Sequence, residues 1–184
     1  MRAKYEDIIE GHYSREWGQP VRKLKWEKGP FWELPVNFNV MVMSHPAPAT
    51  AYATQCMSQP EDEARLELFL LMKDDKDIDL GLVELLTCVA HFHRTGHALG
   101  LGHTVNFGRP WIKGSKCSYG FISLPYLDPP SVAWLADPGI EFAWLIPVTK
   151  AEVDFKKTHG VEALEKRFEE KKFQYLDPFR ASVV

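Results

Sequence analysis

The sequence predicts an α+β fold: a central, mostly antiparallel sheet packed by helices in a single domain. Three observations predict it. Strand-like apolar runs follow one another on short connections between residues 36 and 72. A helical apolar stripe comes next, from Asp79. After further extended runs, two well-signalled helices close the chain. Three strands joined by short loops read as an antiparallel meander, and the helix from Asp79 buries its apolar side against that sheet. The 184 residues match the ~100–200 of one domain. No internal repeat, low-complexity segment or linker divides them. Residues 1–35 read as an N-terminal helix with an irregular lead-in, and residues 36–184 as the domain proper, within one globular unit.

In chain order, Tyr5, Ile8 and Ile9 share one side of a short helix, which Gly11 should stop. Trp17 to Trp32 reads as irregular, and its basic run Arg22-Lys-Leu-Lys25 as a solvated face. Val36-Asn-Phe-Asn-Val40 alternates with period two, and Met41-Val-Met43 extends it as a more buried strand. His45-Pro-Ala-Pro48 interrupts, because prolines leave ladder hydrogen bonds unmade. Ala49–Met57 and Arg65–Met72 supply two more strands, completing an antiparallel meander. The acids of Lys73–Asp77 stand in a charged loop where they can cap the next helix. That helix should bury Leu82, Leu85, Leu86 and Val89 and end at Gly96 or Gly100. His103–Phe107 and Tyr119–Leu124 are extended, with Pro110–Lys116 an exposed loop between them. Asp128-Pro-Pro130 and Asp137-Pro-Gly139 are turns, and Ile140–Ile146 a late strand. Thr149-Lys-Ala-Glu152 is a capping box, flanked by Val148 and Val153 at hydrophobic-staple positions. The helix it starts should stop at Gly160. A last helix from Val161 to about Phe173 turns Val161, Leu164 and Phe168 inward and shows Glu165 and its charged neighbours to water.

Composition removes several function classes. A net charge of −3 lacks the basic face of a nucleic-acid binder. No apolar run approaches the ~20 residues of a membrane helix, and no signal peptide is expected. Cys56, Cys88 and Cys117 are odd in number and widely spaced, which suggests buried, reduced thiols in a cytoplasmic protein.

One motif points to metal chemistry. His93, His97, Gly100 and His103 fit H-x-x-x-H-x-x-G-x-x-H, which resembles the zinc site of metzincin-type metalloproteases. Such a site needs a carboxylate beside the first histidine to take the proton from metal-bound water. Arg94 stands there, and a guanidinium cannot act as that base. The five methionines all precede His103, so no methionine turn follows it. No catalytic residue and no cofactor are therefore assigned. His93, His97 and His103 remain the fallback ligand set for a zinc-binding protein or a hydrolase with a base from elsewhere.

Four stretches point elsewhere. They are Ala51-Tyr-Ala-Thr-Gln-Cys-Met-Ser58 running into Glu67-Leu-Phe-Leu70; Gly102-His-Thr-Val-Asn-Phe-Gly-Arg-Pro-Trp111; Trp144-Leu-Ile-Pro-Val-Thr-Lys-Ala-Glu152; and Asp177-Pro-Phe-Arg-Ala-Ser182. Together they resemble the Suppressor of fused family, with one departure: Cys56 stands where a small residue, often glycine, is expected. The resemblance implies an α+β protein-binding domain without catalysis. The animal protein grips a transcription-factor peptide as a strand between two domains, a clamp for which this chain is too short. Stand-alone bacterial members resemble immunity proteins that neutralise a cognate toxin in the cytoplasm, and that is the partner implied. Trp111, Lys113, Lys116, Tyr119, Tyr126 and Trp134 are the candidate partner-binding residues, as aromatics and adaptable polar groups near loops. Tyr119 and Trp134 read equally well as core. Addition of a partner strand at a sheet edge is the other binding mode, and it would leave little side-chain signature.

Overall fold

The computed structural model describes residues 4–29, 31–73 and 79–184. In chain order these form α1 (Tyr5–Trp17), β1 (Arg22–Leu24), β2 (Asn39–His45), β3 (Ala49–Gln55) and β4 (Leu66–Lys73). They continue with α2 (Leu80–Arg94), β5 (Thr104–Asn106), β6 (Cys117–Ser123), a 3-10 turn (Pro130–Val132) and β7 (Trp134–Leu135). Last come β8 (Ile140–Thr149), α3 (Lys150–His159) and α4 (Val161–Glu170). The strands make one sheet in the order β1-β2-β3-β4-β8-β6-β5, with β7 beside β8. Only β4 and β8 pair in parallel among the described strands. A parallel neighbour requires a crossover, and the segment carrying α2, β5 and β6 supplies it. The α+β class with a mostly antiparallel sheet is the one expected.

Both faces of the sheet are covered, which explains why its central strands read as continuous apolar runs rather than alternations. Met41, Met43, Phe69, Leu71, Trp144 and Ile146 point to one side, against Ile9, Tyr13 and Trp17 of α1 and Leu164 and Phe168 of α4. Their chain neighbours Val40, Val42, Leu68, Leu70, Ala143 and Leu145 point to the other, where α2 covers them with Leu82, Leu85, Leu86 and Val89. Those four are the residues expected to face the sheet. Asp79 caps α2 by accepting from Gly81 N–H (2.7 Å), and Gly96 follows its last turn with φ 96°. The capping box forms as expected: Thr149 N–H donates to Glu152 Oε2 (2.8 Å), while Glu152 N–H donates to Thr149 Oγ1 (3.3 Å).

Several expectations are corrected. Gly11 does not stop the first helix, which runs to Trp17. Ile9, His12, Tyr13 and Trp17 form a buried stripe at helical spacing, and their packing overrides the ~1 kcal/mol that a mid-helix glycine costs. The basic run is not merely a solvated face, since Arg22–Leu24 pairs with β2 as an edge strand. The first meander strand begins at Asn39; Phe38 N–H turns back to Pro35 C=O (2.9 Å) and leaves Val36 92% exposed. The Pro110–Lys116 loop is not exposed throughout. Trp111 is only 4% accessible; its indole N–H donates to Ser115 Oγ (3.0 Å), which also accepts from Cys117 N–H (3.1 Å). The last helix ends at Glu170, where Lys172 turns left-handed (φ 49°) and Phe173 N–H closes on Phe168 C=O (2.8 Å). Glu165 is half-buried and accepts from the Tyr126 hydroxyl (2.7 Å) rather than facing only water. The acids at 74–77 lie outside the described residues.

Candidate functional site

The four stretches that carried the resemblance separate into two roles. Two buried glutamates gather three of them. Glu67 on β4 lies fully inside, with four donors around its carboxylate: Thr54 Oγ1 (2.6 Å) and Met57 N–H (3.2 Å) on one oxygen, Ser58 N–H (3.2 Å) and Ser58 Oγ (3.1 Å) on the other. Burial outweighs the four hydrogen bonds and pushes its pKa up to about 7. The chain bends around it at Cys56, whose φ of 68° explains why glycine suits that position. Glu152 on α3 accepts from both terminal nitrogens of Arg180 (2.7 and 2.9 Å), and Arg180 also donates to Pro147 C=O (2.9 Å). The guanidinium lies 3.9 Å over the Phe173 ring. These pairs tie 51–58 to β4, and 144–152 to 177–182. Both are buried, and they hold the fold together.

A third buried acid behaves likewise. Asp128 Oδ1 accepts from Trp17 Nε1 (2.7 Å) and from His45 Nε2 (2.9 Å). His45 Nδ1 in turn accepts from Ala47 N–H (3.1 Å), which places the imidazole proton on Nε2. The pair pins the Asp128 turn to α1 and to the β2–β3 connection.

The histidine motif does not assemble. Its geometry needs a helix through both His93 and His97, and α2 ends at Arg94. Leu99 N–H donates to His93 Nδ1 (2.9 Å), and burial with the Arg94 charge lowers the pKa of that imidazole. His97 leaves the helix and stacks on Phe92 at 4.2 Å. His97 and His103 instead line an open depression with Lys156. Among the described residues no three His, Cys, Asp or Glu side chains are grouped to hold a metal ion. Arg94, which replaces the catalytic base of the motif, is paired with Asp62.

The remaining stretch, Gly102–Trp111, provides the exposed feature. It contains β5, an end strand of the sheet. Ile122 N–H donates to His103 C=O (2.9 Å) and Phe107 N–H to Ser118 C=O (3.0 Å), so the odd-numbered residues turn their main chain toward β6. By antiparallel alternation, the N–H and C=O groups of Thr104 and Asn106 point off the sheet. Beside this edge, between α2 and β5, runs a cleft of about 340 Å³. Leu85, Val89, Phe92, Val105 and Phe107 give it apolar walls. Cys88 opens into it as well, and partial burial with the nearby Glu84 raises its thiol pKa. At the rim Arg109 donates to Glu84 (2.7 Å). Phe107 reaches over Gly120 of β6, where a Cβ would meet its ring at 2.7 Å. An unpaired strand edge beside an apolar cleft can add a partner strand and accept one of its side chains.

The six residues expected to bind a partner are not brought together. Lys113 and Lys116 are exposed on the loop before β6, whose first residue Cys117 pairs with Thr149 at the end of β8. Trp134, 56% exposed, pairs with Glu141 at the opposite end of β8, roughly 26 Å of strand away. Tyr126 is exposed near α4, with its hydroxyl on Glu165. Tyr119 is half-buried on β6, and Trp111 is buried. The cleft residues escaped the sequence reading because Leu85 and Val89 read there as sheet-facing core and Val105 only as part of an extended run. The available signal was a short extended run directly after a helix that buries only one side.

Comparison with known proteins agrees with this architecture. The family model for Suppressor of fused protein (SUFU) matches residues 35–181. Among solved structures, the chain is similar to a SUFU homolog from Neisseria gonorrhoeae FA 1090, with TM-score 0.85 and 29% identity over 98% of this chain and 97% of that one. It shares its fold with a chain of the Sufu–Fu complex, at TM-score 0.75 and 12% identity over 97% of this chain and 91% of that one. Drosophila Suppressor of Fused gives TM-score 0.70 and 13% identity over 97% of this chain, which spans 50% of the Drosophila chain. Curated proteins give no sequence match. With four-fifths of its length matched by that model, the chain belongs to the Suppressor of fused family.

Proposed function

We propose that this chain is a non-catalytic protein-binding domain that takes an extended partner segment along β5, with an apolar side chain of that segment in the α2–β5 cleft. The observation that carries the reading is the outward-facing main chain of Thr104 and Asn106 beside that cleft. The absence of catalysis is supported by what the titratable groups do: Glu67, Glu152 and Asp128 are sealed into structural pairs. A fold of this kind occurring in a Sufu–Fu complex supports protein binding as the activity. The partner class we infer from the family context is a cognate toxin, which the chain neutralises as an immunity protein in the bacterial cytoplasm.

Two experiments test this. The tagged full chain is expressed in its source cells, and captured proteins are identified by mass spectrometry. The gene of the captured protein is then expressed alone and with this chain. The reading expects growth arrest by the partner alone, rescue by the wild-type chain, and loss of rescue with Thr104→Pro, which removes an outward donor from β5. A captured partner that is harmless alone overturns the toxin assignment. Full rescue by a folded Thr104→Pro chain overturns the docking site.

A further inference from the structure

We propose that the segment docking on β5 is acidic at one end, carrying a carboxylate within about three residues of its apolar anchor, roughly 10 Å of extended chain. The inference rests on the β5 edge reading and adds the chemistry of the partner. The apolar cleft and the depression holding His97, His103 and Lys156 share Phe92 and Thr104 as walls, so they lie side by side along β5. The two ends of this run differ in charge balance. At the far end Arg109 is neutralised by Glu84. At the Gly102 end, no carboxylate contacts His97, His103 or Lys156 among the described residues.

Lys156 is the fixed cation of this end. Its ammonium is held at the depression by donating to Gly102 C=O (2.5 Å), one residue from His103. Burial and the neighbouring Lys157 both disfavour its charge and lower its pKa, and no acid offsets them. His97 lies flat on Phe92, with 5° between the rings, which sets an imidazole edge at the seam between apolar and basic parts. An ammonium and two imidazoles facing one opening, next to an apolar cleft, complement a carboxylate followed by a large apolar residue. Charge complementarity at such a rim speeds encounter and fixes the direction in which a strand lies.

The test uses random nonapeptides displayed on phage, panned on the immobilised full chain, with enriched sequences remade as soluble peptides. The proposal expects enriched sequences that pair Asp or Glu with Leu, Ile, Phe, Trp or Tyr within three positions. Backbone N-methylation of alternate peptide residues should abolish binding, and Lys156→Glu should weaken it by about tenfold. His103→Glu, at an exposed position, serves as a second charge reversal if Lys156→Glu does not fold. Enriched peptides without acids that still lose binding on N-methylation would leave the edge reading standing and overturn the acidic partner. Acidic peptides indifferent to N-methylation, or a library with no enriched sequence, would overturn both.

Discussion

Arg180→Ala should destabilise the fold by about 3–5 kcal/mol, the range for removing one partner of a buried ion pair. The structure sets that size. The substitution deletes two charge-assisted hydrogen bonds to Glu152 and one to Pro147 C=O, together with the guanidinium stacked on Phe173. Glu152 is fully buried and would retain only the N–H groups of Thr149 and Val183 as partners. An uncompensated buried carboxylate is the costly product, more than the lost contacts themselves. For a domain of this size the loss corresponds to a fall in Tm on the order of 10 °C. Urea denaturation read by tryptophan fluorescence and by far-UV circular dichroism measures it, with the m-value checked for constancy. Arg180→Ala combined with Glu152→Gln should recover part of the loss, because the buried charge is then gone. A single-variant loss below about 1 kcal/mol, or full additivity of the two substitutions, would refute this account of the C-terminal anchor.

Three further outcomes follow from buried groups. Glu67 holds its proton more tightly in the folded chain, with a pKa raised from 4.5 to about 7, so its contribution favours the fold below 4.5 and is lost as pH rises to 7. Glu67→Gln should remove that slope. Denaturation at pH 5 and pH 8 should therefore show the wild type losing about 3 kcal/mol relative to the variant, and an unchanged difference would contradict it. At Cys56, with φ 68°, Cys56→Val should cost at least about 2 kcal/mol while Cys56→Gly stays within about 1 kcal/mol, as thermal melts would show. Of the three thiols, Cys88 alone is exposed, so a thiol-specific chromogenic reagent should titrate one in the native protein and three in denaturant.

The sheet and its helices were legible because their signals are local. The alternation around Val40, the stripe Leu82-Leu85-Leu86-Val89 and the box Thr149–Glu152 each depend on neighbours a few residues away. What escaped depends on distant packing. Gly11 reads as a stop until Ile9, Tyr13 and Trp17 are known to face one sheet. Trp111 reads as exposed because its partner Ser115 sits in a loop of polar residues. The histidine spacing presumes a helix through His97, and α2 ends three residues too soon. The parallel pairing of β4 with β8 joins residues 66–69 to 141–144 and has no local trace. Side-chain type alone chose the candidate binding residues, and the fold places them in the loop before β6, on β6, after it and on β7.

The most direct measurement is amide hydrogen exchange of the full chain, free and bound to whichever protein it captures. The amides of Thr104 and Asn106 should exchange freely alone and become protected in the complex, with changes also at Leu85, Val89 and Phe107. Protection confined to another surface, such as that around Trp134, with β5 exchanging as before, would contradict the central claim.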